Sequence, residues 1–147
     1  MLNIEIKSFN LLSVEELYKI LQLRSDVFVV EQNCVYQDMD GKDRYATHVL
    51  GYKNGSLVAY TRIFKPKAYF EEASIGRVLV KKEYRAFKYG YDIMNASIAA
   101  IAQRYGTTTI KISAQAYLQQ FYTNLGFKKM GEPYLEDDIP HIAMIKH

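Results

Sequence analysis

At 147 residues the chain is sized for one domain, and 49% hydrophobic with 24% charged residues is the balance of a soluble globular protein. A net charge of +3 argues against the concentrated basic face of a duplex nucleic-acid binder. The single cysteine, Cys34, excludes an internal disulfide and fits a reducing compartment. No apolar run reaches the ~18 residues of a membrane span, and Met1 to Asn10 alternates instead of forming a leader. A cytoplasmic protein with no membrane partner is expected.

In chain order, Ile4-Glu5-Ile6-Lys7 alternates and reads as a first strand. Ser13 and Glu16 form an S-x-x-E capping box, and Leu17, Leu21, Arg24 and Phe28 share one helical face, which carries the helix to about Val30. Cys34 to Asp43 is acidic and holds a turn glycine, so it reads as a loop. Thr47 to Tyr52 and Leu57 to Phe64 are strand-like runs around Asn54-Gly55, a hairpin signal. Ile75 to Val80 is nearly apolar and rich in β-formers, the pattern of a strand buried on both faces. Met94, Ser97, Ile98, Ile101 and Ala102 then repeat at helical spacing, so Gly90 lies at a helix start. Thr107 to Ala114 alternates. Leu118, Phe121, Tyr122 and Leu125 form a helical stripe closed by Gly126, and Ile142 to Ile145 follows Pro140 as a last strand. The order β-α-β-β-β-α-β-α-β predicts one mixed sheet carrying helices.

Between the central strand and its helix lies Arg85-Ala86-Phe87-Lys88-Tyr89-Gly90. A turn feeding a helix N-terminus binds anions readily, because the first four amides lack partners and the helix dipole is positive there. Arg85 and Lys88 add full charges. An ordinary strand-to-helix connection with solvated basic residues is the other reading of this stretch.

V-L-V followed by R-x-x-x-x-G and a helix, then a strand and F-Y-T-N-L-G-F, resembles the GNAT acetyltransferases. Their phosphate-binding signature is Q/R-x-x-G-x-G/A and their penultimate helix often reads F-Y-x-x-x-G-F. The flanking segments resemble the ElaA-like branch: L-R-S-D-V-F-V-V-E-Q-N-C-V-Y-Q-D-M-D from Leu23, I-G-R-V from Ile75, S-A-Q-A from Ser113 and E-D-D-I-P-H-I-A-M from Glu136. The resemblance spans nearly the whole chain. It implies an α/β (α+β) single-domain GNAT fold over residues 1–147, with a mixed, mostly antiparallel central sheet flanked by helices.

It also implies N-acetyl transfer from acetyl-CoA to a primary amine by direct attack. The pantetheine arm would run along Val78, Leu79 and Val80, pairing with the Val78 and Val80 backbones. The pyrophosphate would lie over Arg85, Phe87, Lys88, Tyr89 and Gly90. Lys88 stands at the first signature glycine and Ala86 at a position often glycine; a Cβ there opposes close approach of the backbone to phosphate, while the Lys88 charge favours it. A CoA-binding module with weak or no turnover is the alternative these departures suggest.

By resemblance Tyr122 is the general acid that protonates the departing thiolate; as a residue of the Leu118, Phe121, Leu125 stripe it reads equally as core. For removing the ammonium proton the candidates are Glu31, His48 and His141. Phe28-Val29-Val30 ahead of Glu31 would raise its pKa and make it a better base, though Glu31 reads as well as a polar residue at a helix end, and each histidine also reads as a satisfied residue at a strand end. Glu136-Asp137-Asp138 is an acidic run able to attract a cationic amine, with Asp138 where the family commonly has glycine. No zinc-site spacing is present. The expected partners are a small-molecule or peptide amine, without nucleic acid; a homodimer is compatible with the resemblance.

Overall fold

The computed structural model describes residues 1–147. Its strands are β1 (Asn3–Ser8), β2 (Thr47–Lys53), β3 (Ser56–Phe64), β4 (Ala73–Val80), β5 (Ile110–Gln115), β6 (Lys128–Glu136) and β7 (Ile139–Lys146). They form one seven-stranded sheet in the order β1-β2-β3-β4-β5-β7-β6. Every neighbouring pair is antiparallel except β4 with β5. The helices are α1 (Val14–Arg24), which runs on into a π-helical segment Ser25–Glu31, then α2 (Tyr89–Tyr105) and α3 (Gln119–Asn124). No helix is long and apolar enough to cross a membrane.

Local signals act where the sequence places them. Ser13 Oγ accepts from the Glu16 N–H at 3.0 Å and Glu16 Oε1 accepts from the Ser13 N–H at 2.8 Å, which completes the capping box. Asn54 and Gly55 both take positive φ, 52° and 81°, as a two-residue turn between β2 and β3 requires.

The sheet buries both faces. On one, Val49, Ala59 and Ile63 pack with Ile93, Met94 and Ile101 of α2. On the other, Leu50, Tyr60 and Leu79 pack with Ile20 and Leu23 of α1 and Val27 beyond it. Neighbours such as Val49 and Leu50 thus serve opposite cores, following the two-residue period of a strand.

Three expectations need correction. The buried stripe of the first helix is Ile20, Leu23, Arg24 and Val27, whereas Leu17, Leu21 and Phe28 are only half-buried. β4 is not buried on both faces: Gly76 to Val78 and Val80 are half-exposed, because β5 leaves its side. β6 was not expected at all. All nine of its residues are exposed, it contains Gly131 and Pro133, and its pairing with β7 shifts between Met130 and Tyr134. An edge strand exposed along its whole length and interrupted by a bulge has no clean apolar alternation to detect.

Candidate active site

β4 and β5 pair only at Ala73 with Ile110 and Ser74 with Lys111. Beyond that point β4 stays with β3 and β5 with β7. The divergence coincides with a bulge: Arg62 faces Gly76 and Tyr60 faces Leu79, so two steps on β3 span three on β4, and Arg77 sits at φ 49°. A bulge adds twist and bends its strand. A cleft of about 500 Å³ opens between the parted strands. Val78, Leu79, Val80, Arg85, Lys88, Gly90, Glu31, Tyr122 and His141 all line it. Phe87 and Tyr89 do not. Phe87 is 60% exposed on the outside of the turn and Tyr89 is buried in the α2 core, so neither side chain contributes to the cleft.

Backbone polarity along β4 suits an extended ligand. The Lys81 N–H donates to Val58 O at 2.7 Å, towards β3. Alternation therefore turns the Val80 and Val78 backbones towards the cleft. The Val80 carbonyl is already engaged, accepting from Arg85 Nε at 2.9 Å. The same guanidinium grips Glu31 with both terminal nitrogens, at 2.5 and 2.8 Å. Glu31 is therefore no carboxyl of raised pKa: the Arg85 hydrogen bonds hold it below the ordinary carboxylate range, outweighing the effect of burial. Lys88 enters no ion pair and occupies the left-handed region at φ 61°, ψ 26°, directly before α2. At Gly90 the absent side chain matters for packing, since a Cβ would come within 3.2 Å of the Phe121 ring.

At the other end, Tyr122 is fixed by the terminus of its own short helix. Gly126 at φ 96° lets its N–H donate to Thr123 O at 3.0 Å and the Phe127 N–H to Tyr122 O at 3.1 Å, a Schellman closure. The Tyr122 ring meets Phe121 and Phe127 edge-on at 5.0 and 6.1 Å. It is 5% exposed, and burial pushes its phenol well above the ordinary value, so it stays protonated. His141 Nδ1 donates to Ile139 O at 2.7 Å, because a carbonyl only accepts, and its Nε2 lies 3.5 Å from Glu136 Oε2. His48 lies elsewhere: its Nε2 donates to Asp43 O at 2.9 Å, its Nδ1 meets Tyr60 OH at 2.6 Å, and it is fully buried.

The acetyltransferase (GNAT) domain family matches residues 15–147. The chain belongs to the GNAT acetyltransferase family. It is 46% identical to the protein ElaA of Escherichia coli K12 over 137 residues, 92% of this chain and 90% of that protein. The crystal structure of E. coli ElaA superposes with a TM-score of 0.92 at 42% identity, over the whole of both chains. An acyl-CoA N-acyltransferase from Pseudomonas aeruginosa does so with a TM-score of 0.93 at 39% identity, again over both whole chains. Within the GNAT family the chain is ElaA-like.

Around this GNAT cleft stand residues that sequence reasoning passed over. Ser113 Oγ bonds Tyr134 OH and donates to Glu136 Oε1 at 3.2 Å, while Tyr134 stacks on His141 at 6.2 Å. The Gln32 and Gln115 side-chain amides exchange hydrogen bonds at 3.0 and 3.2 Å, tying the residue that caps the π-helical segment to β5. The signal was present in the alternation of β5. Ile110, Ile112 and Ala114 go to the core, and the polar Ser113 and Gln115 between them form cleft wall. The acidic loop is also more than a connection. Asp38 and Asp43 are nearly buried and pair with Arg24, which is 0% exposed, while Arg62 takes Asp40 and Asp43 and Arg77 takes Asp38.

Proposed function

We propose that the protein is an acetyl-CoA-dependent N-acetyltransferase of the cytoplasm, moving the acetyl group to a primary amine by direct attack. The observation that carries this reading is the parting of β4 from β5. It leaves cleft-facing backbone at Val78 between a cationic helix start at Lys88 and a protonated phenol at Tyr122. This arrangement fits an extended acyl-CoA. When bound, acetyl-CoA supplies a thioester whose carbonyl carbon accepts the amine and whose thiolate departs.

The chain's own groups divide the remaining work. The Val78 N–H is the donor available for the negative charge that develops on oxygen, and one preorganised donor contributes about 3 kcal/mol in comparable sites. Tyr122 delivers a proton to the thiolate. Burial makes that transfer more uphill than an ordinary phenol would, so enclosure by Phe121 and Phe127, which positions the hydroxyl, matters more than acidity. Glu136 attracts the ammonium, and His141, beside it, accepts the amine proton directly or through water. Glu31 acts through Arg85 as a positioning residue.

One observation favours the second reading, a CoA-binding module with weak or no turnover: Glu31 already neutralises Arg85. Lys88 is then the cation of the turn free to meet phosphate. Acetyl-CoA at 100 times its dissociation constant is expected to stabilise the wild type by about 2.7 kcal/mol. Lys88→Glu is expected to reduce that shift strongly. Lys88→Gly should raise intrinsic stability by about 1 kcal/mol by relieving the left-handed conformation, while also reducing the acetyl-CoA shift. Thermal unfolding with and without ligand reads both effects. An unchanged shift in Lys88→Glu removes Lys88 from the site, and absence of acetyl transfer to any amine in a broad panel leaves only the module.

A further inference from the structure

Arg62 faces Gly76 across β3 and β4, and Phe64 faces Ser74, so these four positions share one face of the sheet. All four line the cleft. Gly76 lies four residues before Val80, about 13 Å upstream along an extended strand, on the side away from Lys88. Two small residues, Ser74 and Gly76, make a depression there.

Two donors meet in it. The terminal nitrogens of Arg62 are occupied: Nη1 donates to Asp40 Oδ1 at 2.9 Å and Asp43 Oδ1 at 3.0 Å, and Nη2 to Asp40 Oδ2 at 2.6 Å. Arg62 Nε is not. It is the one side-chain nitrogen or oxygen with essentially no exposed surface of its own that lacks a hydrogen-bond partner, on a residue 1% exposed. A β-carbon added at Gly76 would stand 3.9 Å from it, with no other neighbour within 4 Å. Ser74, 3% exposed, brings a hydroxyl to the same face with no protein partner. A desolvated N–H without an acceptor is costly to maintain and strongly favours pairing. Nε is closed to water, so an oxygen that reaches it parts the side chains above it and gains a charge-assisted bond in a dry site.

We propose that this depression recognises an sp² oxygen carried by the acceptor. The acetylated amine would then belong to an α-amino acid or its amide, with ammonium towards Glu136 and carboxylate or amide carbonyl on Arg62 Nε and Ser74 Oγ. The proposal rests on the transferase reading. Arg24, Arg62 and Arg77 are balanced by Asp38, Asp40 and Asp43, so directed donors and not a net positive field do the selecting. An anionic and a neutral oxygen are both admitted.

The test uses trios of amino acid, amino-acid amide and decarboxylated amine built on the alanine, leucine, phenylalanine, lysine and glutamate side chains. Binding to the CoA-saturated protein is measured by titration calorimetry, and acetyl transfer by product formation. Gly76→Ala is the main variant, because Gly76 is outside the left-handed region and its new methyl meets only Arg62 Nε at ordinary contact distance. Ser74→Ala removes the second donor without adding bulk. In at least one trio the acid or amide is expected to bind about tenfold or more tighter than the amine, a preference that, taken relative to each variant's own affinity for the bare amine, is lost in Gly76→Ala and weakened in Ser74→Ala. A preference for the acid over the amide assigns the site to carboxylate; equal binding assigns it to the carbonyl. The proposal is overturned if the amine binds as well as its partners in every trio, or if the preference survives in both variants. Binding preferences with no transfer to any amine would instead defeat the transferase reading alone.

Discussion

Tyr122→Phe is expected to slow single-turnover acetyl transfer by roughly 100-fold or more, with acetyl-CoA binding and folding close to wild type. The substitution keeps the ring that packs edge-on against Phe121 and Phe127 and removes only the hydroxyl. That hydroxyl bonds no protein group, so its loss strands no buried partner and a stability effect is not anticipated. The distinction from a purely structural tyrosine is therefore clean: a core residue would leave the rate intact. Single-turnover measurement is needed because product release limits many steady-state rates. Wild-type transfer in the variant would refute the assignment and direct attention to a water or the Ser113–Tyr134 pair.

The second large effect concerns stability. Arg24→Met should destabilise the protein by about 3–5 kcal/mol, the cost of removing one partner from a buried ion pair. Arg24 donates from Nε to Asp38 Oδ2 at 2.9 Å and from Nη1 to Asp43 Oδ1 at 2.7 Å, and its guanidinium lies over the Tyr60 ring at 5.9 Å. Methionine fills much of the volume, so the loss reports stranded carboxylates more than a cavity. Acid should act on the same network. Burial alone would raise the Asp43 carboxyl, but Arg24 and Arg62 outweigh it and hold the group below its ordinary value; Asp40 is likewise held low by Arg62. Groups with depressed folded pKa values contribute stability above their unfolded pKa of about 3.9, and the contribution drains away as pH falls below about 5. Denaturant titrations across pH would show this acid slope shrinking in Arg24→Met. A loss below 1 kcal/mol would mean the carboxylates find water or other donors.

How far the chain could be read without its structure followed the range of each interaction. Signals confined to a few residues were legible: the Ser13 and Glu16 box, the Asn54-Gly55 turn, the Gly126 closure behind Tyr122, and the strand-turn-helix around Lys88. Effects set by distant partners were not. Glu31 looked like a residue of raised pKa because its neighbours are apolar, yet its carboxylate meets Arg85, 54 positions away. Asp38 and Asp43 read only as part of an acidic loop, yet they close on Arg24 from 14 and 19 positions away. The cleft opens beside a one-residue bulge at Arg77, and I-G-R-V-L-V carries no mark of where a strand will slip its register. β6 escaped because an exposed edge strand is under no pressure to alternate.

The brief meeting of β4 and β5 places an unpaired strand edge in the interior of a continuous sheet. Exposed edges elsewhere invite aggregation, since any extended chain can dock on their free amides and carbonyls. Here the edge faces β5 across a cleft of about 500 Å³, and a slender extended molecule with amides of its own can add to it as a strand would. The same feature divides the sheet into two blocks, β1 to β4 and β5 to β7, hinged along two residue pairs. Amide exchange should reveal the seam as alternation inside one strand, fast at Val78 and slow at Leu79 and Lys81, whose N–H groups face β3.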